Sequence, residues 1–293
     1  MLRQLDIQRD LFPDEYKSVE IEGRQYFYVI NEKTTPLTRG IAVLIADSGV
    51  SMLSQQGLAP LSHRLNTFGW TTILLSAPDT AFTAANMAAP AQEGAAEIPQ
   101  TEPTNPAPDD ADTDAVTNTE ADLASDDKLT DKRTIPPPHS KTAESDIDAI
   151  IFEQHQQDLI SLLKVAEGQV DAYPGFYLVI GQGTSAAWLA KIFAEAKSKT
   201  PDALIAISAF WPDRTYNQLL PTLMSATSLP VLDIYSASDN EWVLSTANTR
   251  QTTATTALKL HYRQRQLLGS PRSQQKADYL AKEVHGWLSN MGW

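Results

Sequence analysis

Residues 177–193 read YLVIGQGTSAAWLAKIF. An apolar run turns sharply on Gly181 and Gly183 and leaves as an amphipathic helix, a strand–turn–helix outline with two known uses. A sharp turn of this kind can hold a nucleophilic serine above a sheet. The same glycines can instead bring backbone N–H groups against a pyrophosphate. The rest of the chain decides between them.

Working outward, strand and helix patterns alternate on either side of this turn. SVEIEGRQYFYVI predicts two strands turning at Glu22-Gly23, and GIAVLIAD is a continuous buried strand. GLAPLSHRLNTFGW places Leu58, Leu61, Leu65 and Phe68 on one helical face, and TTILLSAP is the next buried strand. DIDAIIFEQHQQDLISLLKVAEG predicts a long helix leading into FYLVIG. Beyond the turn come the strands ALIAISAF, PVLDIYSA and ALKLHYRQ, separated by the helical TYNQLLPTLMSA and a polar helix near Trp242 to Thr252. QKADYLAKEVHGWLSNM closes the chain as a helix. Six buried strands with interleaved helices predict a single α/β domain over 1–293 with a doubly wound, mostly parallel sheet.

One segment stands apart. Residues 84–146 hold the runs PTNPAPDDADTDA and TIPPPHS, and between Thr80 and Asp146 there are 14 acidic residues against 4 basic ones. That local charge of −10 accounts for most of the net −13, so the remainder is close to neutral and gives no sign of a nucleic-acid surface. A segment so poor in apolar residues cannot bury enough area to offset the entropy of ordering it. It is expected to be a disordered insertion, either an arm for a basic partner or a solvated loop. The chain has no cysteine, which excludes disulfides and thiolate metal sites. No segment approaches the roughly 18 apolar residues of a membrane span. The first residues, MLRQLDIQRDLFPDEYKSVE, lack a signal-peptide apolar run, which points to the cytoplasm if the chain is complete.

The cofactor reading of the turn has Gly181, Gly183 and Ala186 at the G-x-G-x-x-A spacing, after a strand and opening a helix. That fingerprint, however, sits on the first strand of its domain and is followed by an acid at the end of the next one. Here at least three strands precede it, and ALIAIS ends on Ser208 and Ala209 with no acid before Asp213. No cofactor or metal is expected.

A nucleophile elbow, G-x-S-x-G, suits the central position of the strand better. Aligned to it, GQGTS keeps Gly181 and Gln182, puts Gly183 in the nucleophile's place and follows with Thr184 and Ser185. The geometry is kept while the reactive serine is missing. Asp239, after the strand PVLDIYSA, stands where the acid of a triad would be; the alternative is that it caps the helix starting at Asn240. The loop after the last strand, LGSPRSQQ, has no histidine. His63, His155 and His285 fall on helices and His139 in the acidic segment, leaving His261, inside the last predicted strand, as the remaining candidate base. Ser185, on the first turn of a helix, and Ser48, in ADSGVSM after an earlier strand, are the substitute nucleophiles to consider. Asp47 precedes Ser48 where an oxyanion-hole loop commonly has histidine, and a carboxylate there repels a developing oxyanion.

The stretches GIAVLIADSG, LSHRLNTFGWTTILLSAPD, YLVIGQGTSAAWLA and YRQRQLLG with a terminal HGWL resemble an uncharacterised proteobacterial family of unknown function that is similar to α/β hydrolases. The likeness spans about residues 15–80 and 147–290. It implies an α/β-hydrolase sheet, an elbow that commonly lacks its serine and, for many members, export to the periplasm. It implies no substrate and no catalytic residues. Residues and resemblance together lead to a hydrolase-fold protein without acyl-transfer chemistry, binding a small molecule or a protein; the alternative is an active esterase built on Ser185 or Ser48 with Asp239 and His261.

Overall fold

The computed structural model describes residues 11–12, 14–21, 23–78, 149–269 and 276–293. The segment 84–146, expected to be disordered, lies outside them. By internal contacts the chain divides into residues 1–88 with 144–293, and residues 89–143; the first unit carries the sheet.

Eight strands form that sheet: β1 (Lys17–Ile21), β2 (Arg24–Asn31), β3 (Gly40–Ile45), β4 (Trp70–Leu75), β5 (Phe176–Gln182), β6 (Ala203–Ile207), β7 (Val231–Ser236) and β8 (Tyr262–Leu267). Their order is β1-β2-β4-β3-β5-β6-β7-β8. β1 and β2 form the expected hairpin, with Ile21 opposite Arg24, and β2 joins β4 antiparallel. The other neighbours are parallel. The chain runs outward from β3 to β4 on one side and from β5 to β8 on the other. The switch point of the topology therefore falls between β3 and β5, where ligands of open α/β sheets are bound.

Among the described residues six helices cover the faces: α1 (Ala59–Thr67), α2 (Ala149–Val170), α3 (Thr184–Ala194), α4 (Arg214–Ala226), α5 (Glu241–Thr256) and α6 (Ala277–Asn290). Successive strand residues point to opposite sides, so each central strand feeds two cores. Ile41, Val43, Ile45 and Val179 pack with α2, α3 and α4, whereas Ala42, Leu44, Leu178 and Ile180 pack with α1 and α6. Continuous apolar runs are what such doubly covered strands require.

The sixth parallel strand departs from expectation. ALKLHYRQ alternates like a strand, yet α5 continues to Thr256 and closes through Leu258 in the left-handed region (φ 52°), with Lys259 N–H donating to Ala254 O. β8 begins only at Tyr262, as a half-exposed edge strand, and His261 lies in the turn before it. The edge is anchored from beneath. Asp233 Oδ2, in the middle of β7, accepts from Arg250 Nε at 2.7 Å, Tyr262 Oη at 2.7 Å and Gln264 Nε2 at 2.9 Å. Asp233 and Arg250 are both fully buried, and burial next to Asp233 pushes the Tyr262 hydroxyl far above its ordinary range.

Candidate functional site at the glycine turn

β5 ends in the sharp turn that the sequence predicts. Gly183 has φ 61° and ψ −129°, a strained combination that presents residue 183 above the sheet before α3 begins at Thr184. Gly181 is held to glycine by packing, since a Cβ there would lie 2.6 Å from Leu189 Cδ1 and 2.8 Å from Ala186 Cα. That close approach of α3 to β5 makes a tight elbow.

The place of the missing side chain is filled from another strand. Ile45 pairs with Gly181, so two residues further on Asp47 comes level with Gly183. A Cβ on Gly183 would stand 2.2 Å from Asp47 Cγ and Oδ2. Asp47 Oδ1 accepts from Thr184 N–H at 2.9 Å and from Thr184 Oγ1 at 2.8 Å. Gly183 has no side chain to cap α3, and the buried carboxylate of Asp47 takes over that task at the positive end of the helix dipole. The first N–H of α3, which in an elbow would face an oxyanion, is thereby engaged. The same contact fills the cradle that the Gly181-x-Gly183-x-x-Ala186 reading needs, because a pyrophosphate there would meet a carboxylate on donors already in use.

Both substitute nucleophiles are hydrogen-bonded to backbone carbonyls. Ser185 is completely buried and donates its Oγ to Ala46 O at 2.7 Å, which ties α3 to β3. Ser48 donates to Pro78 O at 3.2 Å. Asp239 does sit beyond the carboxyl end of β7, but Asn240 is the residue that caps α5, through Val243 N–H. Asp239 Oδ2 instead accepts from Ser236 N–H and from Ser208 Oγ, each at 2.8 Å. Ser208 is the residue that the sequence did not single out. It follows β6 in the left-handed region (φ 51°), next to the turn, since Gly183 N–H donates to Ile207 O. Its hydroxyl donates to one oxygen, Oδ2, of the carboxylate that would orient a triad histidine.

His261 is at the wrong end of the sheet. Val231 pairs with Tyr262 and Ser236 with Leu267, so His261 precedes the amino end of β8 while Asp239 follows the carboxyl end of β7. A strand of this length separates them by about 17–20 Å. His63 is exposed on α1. His155 is buried against Trp188, with ring centroids 4.1 Å apart, and desolvation pulls its pKa down to about 3. His285 stacks on Phe68, its pKa lowered by burial and by Arg39. No cluster of metal-ligating side chains occurs among the described residues.

A family model described as a protein of unknown function (DUF3530) matches residues 2–290. The chain belongs to this family. No curated protein matches this DUF3530 chain. Among solved structures it is similar to the esterase domain of a Rhodothermus marinus protein, with TM-score 0.53 and 12% identity over 93% of this chain and 96% of that one. It is also similar to Est1E from Butyrivibrio proteoclasticus, with TM-score 0.53 and 8% identity over 94% and 98% of the two chains. XC6422 from Xanthomonas campestris, an α/β serine hydrolase without lid, gives TM-score 0.51 and 12% identity over 96% and 97%. At these identities the likeness establishes the α/β-hydrolase fold of the DUF3530 chain.

Proposed function

We propose that this protein has an α/β-hydrolase fold without acyl-transfer chemistry and acts as a binding or scaffold protein. The observation that carries this reading is the Asp47 carboxylate seated on Gly183 and Thr184. Acyl transfer needs a nucleophile on the turn and free donors where negative charge develops. In this chain residue 183 has no side chain, the Thr184 N–H donates to a carboxylate, and Asp239, at the acid position, accepts from Ser208 on Oδ2. Each feature opposes the reaction at a different point.

Incubation with a fluorophosphonate probe is expected to leave every serine unlabelled. A panel of p-nitrophenyl esters is expected to turn over no faster than with heat-inactivated protein. Labelling of a single serine would overturn the proposal. The acidic segment, with its local charge of −10, supplies a contact for a basic partner. A chain lacking residues 88–144 is expected to keep its melting temperature and to lose binding to polylysine.

A further inference from the structure

The loop between α5 and β8 inverts the usual order of burial. Leu258 and Leu260 stand in solvent with 81% and 90% of their surface exposed, while Lys259 between them turns inward. Its Nζ donates to Thr227 O, a carbonyl just beyond α4. Leu258 itself has φ 52°, a backbone conformation that leucine rarely adopts. Breaks in local rules of this kind gather at functional sites. Lys259 lies in the wall of a groove of about 340 Å³, the size of a small-molecule site. From the end of α4 and the turn after it come Ser225, Thr227, Ser228 and Leu229, none of them titratable, and among the described residues His261 is the other titratable member of the wall. Residues 214–232 and 242–277 include no carboxylate, so neither stretch supplies a counter-charge. Burial, with nothing to offset it, pushes the Lys259 ammonium below its ordinary range. An amine that gives up its proton more readily is a better nucleophile. The bond to Thr227 O needs one N–H, which the neutral amine still has, so deprotonation leaves the loop fixed and frees a lone pair.

We propose that Lys259 condenses with a small aldehyde held in this groove, forming a Schiff base. The Nζ lone pair adds to the carbonyl carbon, and one N–H proton passes to the carbonyl oxygen to give a carbinolamine. The new hydroxyl then leaves with the second N–H proton as water, and an imine C=N bond remains. No oxidant or reductant is consumed. When protonated, the imine keeps an N–H for Thr227 O, so the product fits the place of the amine. The hydroxyls of Ser225 and Ser228 beside Leu229 suit an uncharged aldehyde that carries a hydrogen-bonding group. The groove lies at the amino ends of β7 and β8, the opposite end of the sheet from the glycine turn, and the proposal stands independently of the function proposed there.

The test is incubation of the full chain with 4-hydroxybenzaldehyde and cyanoborohydride near neutral pH, which fixes imines as secondary amines, followed by digestion and mass spectrometry of the lysine peptides. Lys259 is expected to carry about tenfold more adduct than any other lysine side chain. Its labelling should saturate as aldehyde is raised, whereas a lysine outside a binding site responds linearly. In concentrated urea the preference should vanish, because it depends on the folded groove. Ser228→Phe, at an exposed position of the wall, should narrow the groove and lower labelling of Lys259 about fivefold. Labelling of Lys259 no greater than that of the other lysines, linear in aldehyde concentration, or unchanged by urea or by Ser228→Phe would overturn the proposal.

Discussion

Asp47 and Gly183 occupy each other's space: the carboxylate of one lies where the side chain of the other would begin, 2.2 Å from an added Cβ. Gly183→Ser therefore does not simply restore a nucleophile. It drives a Cβ into Asp47 at a position with φ 61°, and is expected to cost roughly 3 kcal/mol in urea unfolding. Asp47→Gly in the same chain should recover about 1–3 kcal/mol of that loss, a coupling that a double-mutant cycle measures directly.

Asp47 also carries stability of its own. Asp47→Ala leaves the Thr184 N–H and hydroxyl without their acceptor at a buried helix start, and a loss of about 1–3 kcal/mol is expected. Asp47→Asn keeps an acceptor oxygen and should lose less. Chemical denaturation of the two variants side by side separates the hydrogen bonds from the charge.

The buried pair beneath the sheet edge predicts a sharper contrast. Asp233→Ala strands the guanidinium of Arg250, which is fully buried, and should cost about 3–5 kcal/mol. Replacing both partners together, Asp233→Leu with Arg250→Met, should be much milder, because no uncompensated charge is left. Denaturant midpoints of the single and double variants check this.

Acid stability should report on His155. Its pKa is about 3 in the fold, below the ordinary histidine value of about 6.5 expected for the unfolded chain, so the unfolded state binds the proton first. The contribution of neutral His155 is fully present above pH about 6.5 and is lost progressively as pH falls toward 3. Melting temperature followed from pH 7 to pH 4 should decline less steeply in His155→Phe than in the wild type.

Much of the fold was legible because burial on both faces leaves a local signature. GIAVLI and FYLVIG read as central strands since a strand covered by helices on each side carries apolar side chains on both of its faces. The glycine turn was legible for the same kind of reason, since the strained backbone of residue 183 and the close seating of α3 on Gly181 both call for small residues. ALKLHYRQ failed where local pattern is ambiguous. Its alternating leucines imitate a half-buried strand, but α5 extends through the preceding threonines and the leucines end up in solvent.

The sequence by itself determined that a strand–turn–helix stands at the centre of an α/β sheet and that its reactive position holds glycine, because backbone conformation and burial act over a few neighbouring residues. What occupies that position was decided only in three dimensions. Asp47 lies 137 residues from Thr184, and the register of β3 against β5 brings the two into hydrogen-bond contact. Ser208 reaches Asp239 across 31 residues by the same mechanism, through the parallel pairing of β6 with β7. A carboxylate's partner depends on which strand ends are adjacent, and strand order is a property of the whole chain.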